Sequence, residues 1–330
     1  MTSTAFAVPG TGSSRLRLCL PTLGLAVATA AIVWFGVVTL ERARSLGHVL
    51  AAGRAELVAP AVLLLVAIAF LCERVWPAER RPALAKGHLQ DTAYFVVHVV
   101  TVVPIMTLLG VAFAELLSSH AGWIEVPQTA AWPRAPLFAL TLVAMDAGNW
   151  LAHWADHRFG TLWRFHALHH SQEELNVLSA FRAHPFSHLA GFFLATVPVV
   201  VLTGDHGVAP ELVTAYVCLG TLPHANVRWS FGPLGKIVVS PAYHRLHHSY
   251  EGSLGLNLGI VLTVWDVLAR RARFPVKGEP PCTTGLAGRP LPTEQEDAAR
   301  WQVRTLLRQL AEPFQPAAAD ARSRFGPDGV

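Results

Sequence analysis

The chain alternates between long apolar runs and short polar segments that carry most of its charges. The four longest apolar runs lie near residues 23–40, 56–75, 91–116 and 135–152. Each is close to the ~20 residues that an α-helix needs to cross the hydrocarbon of a bilayer. Two shorter runs, 189–203 and 207–222, flank Gly204-Asp205-His206-Gly207 and predict a tight transmembrane hairpin or a re-entrant pair.

Composition supports a membrane protein. Hydrophobic residues make up 52% of the 330 residues and charged residues 15%, which is unusual for a soluble domain. The formal charge of +4 invites a nucleic-acid interpretation, but no basic run interleaved with aromatic residues is present. The four cysteines form no C-x-x-C pair, which argues against a zinc knuckle or an iron–sulfur cluster.

The pattern predicts an all-α integral membrane protein with about four transmembrane helices, a short hairpin and a cytosolic helical cap. We divide the chain into a polar N-terminal tail (1–22), N-terminal transmembrane helices (23–134), a catalytic domain (135–274) and a C-terminal region (275–330). Within the catalytic domain, residues 254–268 predict an interfacial or buried helix. The C-terminal region predicts a linker, an amphipathic helix over about 293–311 and a disordered tail. The apolar side of that helix would be formed by Trp301, Leu306, Leu307 and Leu310.

Charges predict the orientation. If the helices alternate, one face receives residues 1–22, 73–90, 153–188 and everything after 222. The short segments on that face carry more Arg and Lys than those on the other, so the positive-inside rule places it in the cytoplasm. Three Lys against twenty-three Arg favour a GC-rich bacterial genome. We therefore expect a multi-pass protein of the bacterial inner membrane.

Histidines are concentrated at the ends of these apolar runs. They form the clusters His153-x-x-x-His157, His166-x-x-His169-His170 and His244-x-x-His247-His248. Residues three and four apart share one helical face, so each cluster can direct its imidazoles together. Eight imidazoles are too many for one tetrahedral ion, since a structural zinc site closes with four ligands. The clusters predict two adjacent metal ions on the cytoplasmic face.

Around these clusters the sequence resembles the fatty acid hydroxylase/sterol desaturase superfamily. Segments 146–158 and 162–171 look like its first and second histidine boxes, and 241–249 looks like the third. Arg182-Ala-His184-Pro185 and His224-Ala-Asn226 are similar to two intervening elements, and Asn257 and Trp265-Asp266 to the tail of the third box. The resemblance covers about 140–270.

The resemblance implies a bundle of transmembrane helices, two ferrous ions, O2 as co-substrate and a lipid substrate. It implies metal ligands at His153, His157, His166, His169, His170, His224, His244, His247 and His248, with His184 as a tenth candidate. Some relatives carry a further histidine where this chain has Gly220. Either His184 fills that position or one ion keeps an extra open site. We expect His188, outside the family pattern, to have a supporting or surface role.

Carboxylates and amides near the boxes are expected to orient the imidazoles by accepting their second N–H. The candidates are Asp146, Asp156, Glu173, Glu174, Asn226, Asn257 and Asp266. We assign Asp146, Asn226 and Asn257 to the catalytic site. Asp146 lies within an apolar run, where an unpaired carboxylate is costly, so we expect an imidazole partner for it, with a polar contact in a pore as the alternative.

The predicted chemistry is O2-dependent hydroxylation or desaturation of a lipid: a sterol, fatty acyl chain, carotenoid or alkylglycerol. No dinucleotide-binding glycine motif or haem motif is present, so electrons must come from an external donor such as a ferredoxin or a b-type cytochrome with its reductase. The alternative is a histidine-rich membrane metal-binding or transport protein. It predicts ligands spread through the spans at bilayer depth, whereas here they cluster at span ends. A non-catalytic scaffold is disfavoured because all three boxes keep their histidines.

Overall fold

The structure, a computed structural model, describes residues 55–82, 86–124, 132–203, 210–250, 255–286 and 303–315. Within these ranges the regular secondary structure is helical, and the only β-structure is three isolated bridges. This agrees with the predicted all-α class. The predicted N-terminal tail, the first apolar run (23–40) and the disordered C-terminal end lie outside the described residues.

Three of the predicted apolar runs form long helices. Helix α1 spans Ala55–Val75, α2 spans Lys86–Val97, and a π-helical turn at His98–Val102 joins α2 to α3 (Val103–Ala121). Helix α4 spans Arg134–Arg158. Within the described residues, Val103–Ile124 and α4 are long and apolar enough to cross a membrane.

The predicted hairpin is a pair of helices, α6 (Ser187–Thr203) and α7 (Pro210–Thr221). Helix α6 packs closely along α4. Gly148 permits this approach, because a Cβ at that position would lie 2.2 Å from the carbonyl oxygen of Leu194. Only a residue without a side chain fits there, and the contact aligns α6 with the helix that carries the first histidine cluster.

Short helices and turns carry the remaining boxes. Helix α5 (Gly160–His170) follows α4 after a single extended residue, Phe159. A 3-10 turn at Leu222–His224 ends α7. Helix α8 (Pro241–His247) begins at Ser240, whose Oγ accepts a hydrogen bond from the N–H of Tyr243, and has Pro241 in its first turn. Both features are typical helix-start signals.

The structure differs from two local predictions. Residues 254–268 do not form one helix: only α9 (Val264–Leu268) is helical, and 257–263 form an irregular loop. The backbone N–H groups of Leu258 and Gly259 donate to the Asp266 carboxylate instead of to helical carbonyls. The predicted C-terminal helix is described only over α10 (Val303–Ala311).

The apolar side predicted for α10 is confirmed only in part. Leu306 and Leu310 are half-buried, Leu307 is exposed, and Trp301 lies outside the described residues. The most buried residues of the helix are the polar Thr305 and Gln309. Gln309 accepts hydrogen bonds from the Tyr94 hydroxyl and the Gln90 side-chain amide. The helix therefore docks on α2 through polar contacts, which a search for an apolar stripe does not detect.

Candidate metal centre

Nine histidines from four separate elements converge in the interior of the protein. Helix α4 provides His153 and His157, and α5 provides the second cluster; the turn after α7 provides His224, and α8 with its C-terminal cap provides the third cluster. The rings fall into two groups. The five-histidine group contains His153, His157, His166, His170 and His247, and the four-histidine group contains His169, His224, His244 and His248.

In the five-histidine group the Nε2 atoms face one another. His247 lies 3.0 Å from His153 and His157 lies 3.3 Å from His153, measured between Nε2 atoms. His170 lies 3.2 Å from both His157 and His166. Two nitrogens that bind the same ion, each at ~2.1 Å, lie about 3.0 Å apart when the N–metal–N angle is a right angle. They lie about 3.4 Å apart when that angle is tetrahedral. The observed distances fit this range.

The four-histidine group has the same geometry. The Nε2 atom of His224 lies 3.2 Å from that of His169 and 3.0 Å from that of His244. The Nε2 atoms of His244 and His248 are 3.1 Å apart. All four residues are buried. This group has the ligand number and spacing for a second ion.

The two groups adjoin each other. The rings of His170 and His248, one from each group, stack with centroids 4.5 Å apart and planes 24° apart. His169 and His170 are sequence neighbours whose rings enter different groups. The pattern H-x-x-H-H thus supplies ligands to both groups from a single helical turn.

Two carbonyl oxygens determine which ring nitrogen of His153 and of His247 faces into the five-histidine group. The Nδ1 atom of His153 lies 2.8 Å from the carbonyl of Leu258, and that of His247 lies 2.8 Å from the carbonyl of Leu256. A carbonyl can only accept, so Nδ1 carries the proton in both rings and, in neutral imidazoles, Nε2 is a bare lone pair. The two lone pairs face each other at 3.0 Å. Such an arrangement is repulsive without a cation between them.

The imidazoles are also held in the neutral form. Burial first, and then the charge of neighbouring residues, lowers the pKa of His169 to about 3. The same causes hold the pKa values of His170, His224 and His248 well below their usual range. Neutral imidazole is the form that binds metal. The donor set therefore fits two divalent ions of the group that imidazole suits, including iron, zinc, copper and nickel.

The structure does not bring His184 into either group. Its Nε2 lies 3.2 Å from the carbonyl of Leu310 in α10, and its ring packs against Phe165, Phe186 and Phe314. An aromatic pocket and a C-terminal partner, both distant in sequence, hold the side chain away from the predicted metal position. The prediction of a tenth ligand is corrected accordingly.

Asp146 does not pair with an imidazole, contrary to our expectation. Its carboxylate accepts hydrogen bonds from the N–H groups of Val261 and Leu262 and from the indole of Trp265. Asp266 has a similar role: it accepts from Trp150, Tyr243 and the backbone of residues 258 and 259. The two carboxylates hold residues 256–266, which comprise the irregular loop and the start of α9 and are called the 256–266 loop below. Carbonyl groups of this loop orient His153 and His247.

Asn257 and Asn226 also act on the backbone. Asn257 has a φ of +57°, a left-handed conformation that asparagine tolerates, and its side-chain amide donates to the carbonyls of Tyr243 and Arg273. Asn226 bonds through its side chain to both the N–H and the carbonyl of Glu79. Each amide thus supports a segment next to ligands instead of contacting a ligand ring.

The carboxylate of Asp156 faces a histidine ring of the five-histidine group. Its Oδ2 lies 3.5 Å from Nδ1 of His166. Glu174, by contrast, accepts a hydrogen bond from the N–H of Gly87, and the backbone carbonyl of Glu173 accepts one from Arg81. Asp156 is therefore the candidate to orient His166.

Residues of α1 and α2 that sequence reasoning missed also support the centre. Asp91 is fully buried and accepts hydrogen bonds from the guanidinium of Arg182 and from the side chains of Gln172, Asn176 and Ser179. The carbonyl of Arg182 lies 3.2 Å from Nδ1 of His169. Asp91 thus secures the segment that orients a ligand of the four-histidine group.

Glu73 acts in the same way near His224. Its Oε1 accepts from the N–H groups of Val177 and Asn226, at 2.8 and 2.9 Å. Both acidic residues lie within apolar runs, where carboxylates are costly unless they are paired or functional. That signal, applied in the sequence only to Asp146, could have identified them.

Comparison with known proteins agrees with this geometry. Residues 138–270 match the family model described as fatty acid hydroxylase. The chain is 33% identical over 186 residues to ornithine lipid hydroxylase OlsE of Rhizobium tropici, which covers 56% of this chain and 52% of that protein. It is 25% identical over 149 residues to alkylglycerol monooxygenase of Danio rerio, covering 44% of this chain and 31% of that protein.

The matched region contains all nine histidines of the two groups, so this part of the chain is similar to fatty acid hydroxylases at the candidate metal centre itself. The human alkylglycerol monooxygenase is likewise 25% identical, over 129 residues. The chain matches about half the length of the Rhizobium protein and less than a third of the alkylglycerol monooxygenases named here. No solved structure matches the chain.

Proposed function

We propose that this protein is a membrane-bound lipid oxygenase that holds two iron ions in the two histidine groups. The observation that carries the proposal is the pair of bare Nε2 lone pairs of His153 and His247, 3.0 Å apart and fixed by two carbonyl acceptors. A cation between them removes the repulsion. The superfamily, and the lipid hydroxylases among the relatives, favour iron over the other metals that imidazole binds.

Bound iron would supply the activation of dioxygen for attack on a C–H bond. In hydroxylation, one oxygen atom enters the C–H bond and the other leaves as water, with two electrons and two protons consumed. In desaturation, two hydrogens leave the substrate and both oxygen atoms leave as water. We propose that an external ferredoxin, or a b-type cytochrome with its reductase, delivers the electrons.

The chain's own residues hold the ligands and exclude solvent. His153, His169 and His247 each donate Nδ1–H to a backbone carbonyl, which directs Nε2 into the centre. Asp146 and Asp266 fix the loop that provides two of these carbonyls. Burial of both groups keeps bulk water from the reacting C–H bond. We propose that the centre faces the cytoplasm of a bacterial inner membrane, from the distribution of Arg and Lys.

The test is lipid mass spectrometry of cells that express the protein, combined with metal analysis of the purified chain. We expect a lipid heavier by one oxygen or lighter by two hydrogens, and iron in the purified protein. His247→Ala should abolish the product and lower the iron content. His120→Ala is the matched control, because His120 is an exposed histidine at the end of α3.

Bound metal without any oxidised lipid would instead support the metal-binding or transport alternative. The two readouts therefore separate an enzyme from a metal carrier. A product that persists in His247→Ala at the level of the wild type would contradict the proposed centre.

A further inference from the structure

Two histidines outside both metal groups form a pair of their own. His98 opens the π-helical turn between α2 and α3, and His188 lies in the first turn of α6. Their ring centroids are 5.0 Å apart and the rings are inclined at 62°. The His98 ring also lies 5.2 Å from the ring of Phe181. The pair therefore joins two elements that are far apart in sequence.

Each ring of this pair has a buried nitrogen that makes no hydrogen bond. The Nδ1 atom of His98 and the Nε2 atom of His188 are inaccessible to solvent and have no hydrogen-bond partner within the described ranges. A buried polar atom left in this state costs about 1–3 kcal/mol. The π-helical turn at His98 is a rare feature that often marks a functional position. Both observations mark the pair as a candidate polar binding site.

The helix contacts show where His188 lies relative to the metal groups. Helices α4 and α6 are antiparallel, and a Cβ on Gly191 would lie 3.9 Å from the Cβ of Ala152. His188 lies one helical turn from Gly191 towards the N-terminus of α6. Because the helices are antiparallel, the α4 residues at the same level lie one turn from Ala152 towards the C-terminus, between His153 and His157. His188 is thus level with the metal ligands of α4.

A second contact places the pair near the four-histidine group. The His98 ring lies 5.2 Å from the ring of Phe181, and the carbonyl of the next residue, Arg182, lies 3.2 Å from Nδ1 of His169. A neutral imidazole offers one N–H donor and one acceptor nitrogen.

We propose that His98 and His188 bind an oxygen atom of the lipid substrate, and that this oxygen lies within a few bonds of the carbon that is oxidised. The inference rests on the proposed function and narrows its substrate class. A hydroxyl, ether or acyl carbonyl near the reacting carbon can use these nitrogens, whereas a hydrocarbon such as a carotene cannot. The substrate is therefore a lipid that reacts close to its polar headgroup.

The test measures binding separately from turnover. Iron-loaded protein in lipid nanodiscs is titrated with radiolabelled 1-O-hexadecylglycerol and, as the probe without oxygen, with radiolabelled hexadecane. The wild type should bind the ether lipid saturably and more tightly than hexadecane. His98→Leu and His188→Leu should each weaken ether-lipid binding about fivefold, as expected for the loss of one hydrogen bond, and should leave hexadecane binding unchanged.

Matched variants control for misfolding. His98→Gln and His188→Gln have nearly the volume of the leucine variants but retain a donor and an acceptor, so ether-lipid affinity should remain within about threefold of the wild type. His120→Leu should match the wild type, and every variant should retain its iron. Equal affinity in the leucine and glutamine variants would overturn the proposal, as would hexadecane binding as tight as that of the ether lipid.

The outcomes also separate this inference from the proposed function. Oxidation of a substrate that is a pure hydrocarbon, to the same extent in the wild type and the leucine variants, would refute the role of the pair and leave the oxygenase intact. Selective ether-lipid binding by a protein that contains no iron and oxidises no lipid would refute the oxygenase and leave the polar lipid site.

Discussion

The buried ion pair between Asp91 and Arg182 provides a quantitative test of how α2 supports the metal centre. Both side chains are fully buried, and the guanidinium Nη1 lies 3.0 Å from Oδ1 of Asp91. The other carboxylate oxygen, Oδ2, accepts from Gln172, Asn176 and Ser179. Asp91→Asn can keep its carbonyl oxygen at the Oδ2 position, so these three hydrogen bonds survive. Its amide NH2 then faces the guanidinium, and two donors oppose each other.

The expected cost follows from this geometry. Removing one partner of a buried ion pair leaves an uncompensated charge and destabilises a protein by about 3–5 kcal/mol. Replacing Arg182 as well, by Met, removes that charge, so the double variant should be more stable than Asp91→Asn alone. The exposed pair Arg273–Glu279 is the control, and Glu279→Gln should change the free energy of unfolding by less than about 1 kcal/mol.

The assay is reversible unfolding in mixed detergent micelles, with iron analysis of each purified variant. Because the carbonyl of Arg182 orients His169, we expect Asp91→Asn to lose iron preferentially from the four-histidine group. Two results would refute the reasoning: a cost as small as that of Glu279→Gln, or a double variant whose cost equals the sum of the two single variants.

Three further predictions test the packing, the loop and the pH dependence. Gly148→Ala should separate α4 from α6 and destabilise the protein by about 1–3 kcal/mol, since the new Cβ would lie 2.2 Å from the Leu194 carbonyl oxygen, while Gly160→Ala meets nothing within 4 Å and should unfold like the wild type. Asp266→Asn should leave donors of the 256–266 loop unpaired and lower the iron content and kcat together, as measured by metal analysis and initial rates; unchanged iron would contradict this role. Burial lowers the pKa of His184 to about 4, so the unfolded chain binds a proton there before the folded one does as the pH falls. The stability of the wild type should thus decline below about pH 6.5, and His184→Asn should reduce that decline by about 1 kcal/mol at pH 5.5 in thermal unfolding scans.

The sequence predicts which histidines come together because helical spacing is a local property. Residues three and four apart share a face whatever the rest of the fold does, so His169 and His170 must each lie on the same face as His166. Sequence spacing does not tell which ring enters the five-histidine group and which enters the four-histidine group. His169 and His170 enter different groups because they are one residue apart and their rings diverge, with planes inclined at 89°.

Features that depend on distant partners are beyond such reasoning. His184 matches a family element, but its environment is created by Leu310 and Phe314 from the other end of the described chain. The sequence of the 256–266 loop is apolar enough to predict a buried helix. Its backbone N–H groups, however, donate to the carboxylates of Asp146 and Asp266 and not to helical carbonyls. In both cases a polar contact over a long sequence separation decides the conformation.

Iron-edge anomalous diffraction from crystals of the iron-loaded protein tests the central claim most directly. Two anomalous peaks are expected, one among the Nε2 atoms of His153, His157, His166, His170 and His247, and one among those of His169, His224, His244 and His248. A single peak, or peaks outside both histidine groups, would contradict that claim.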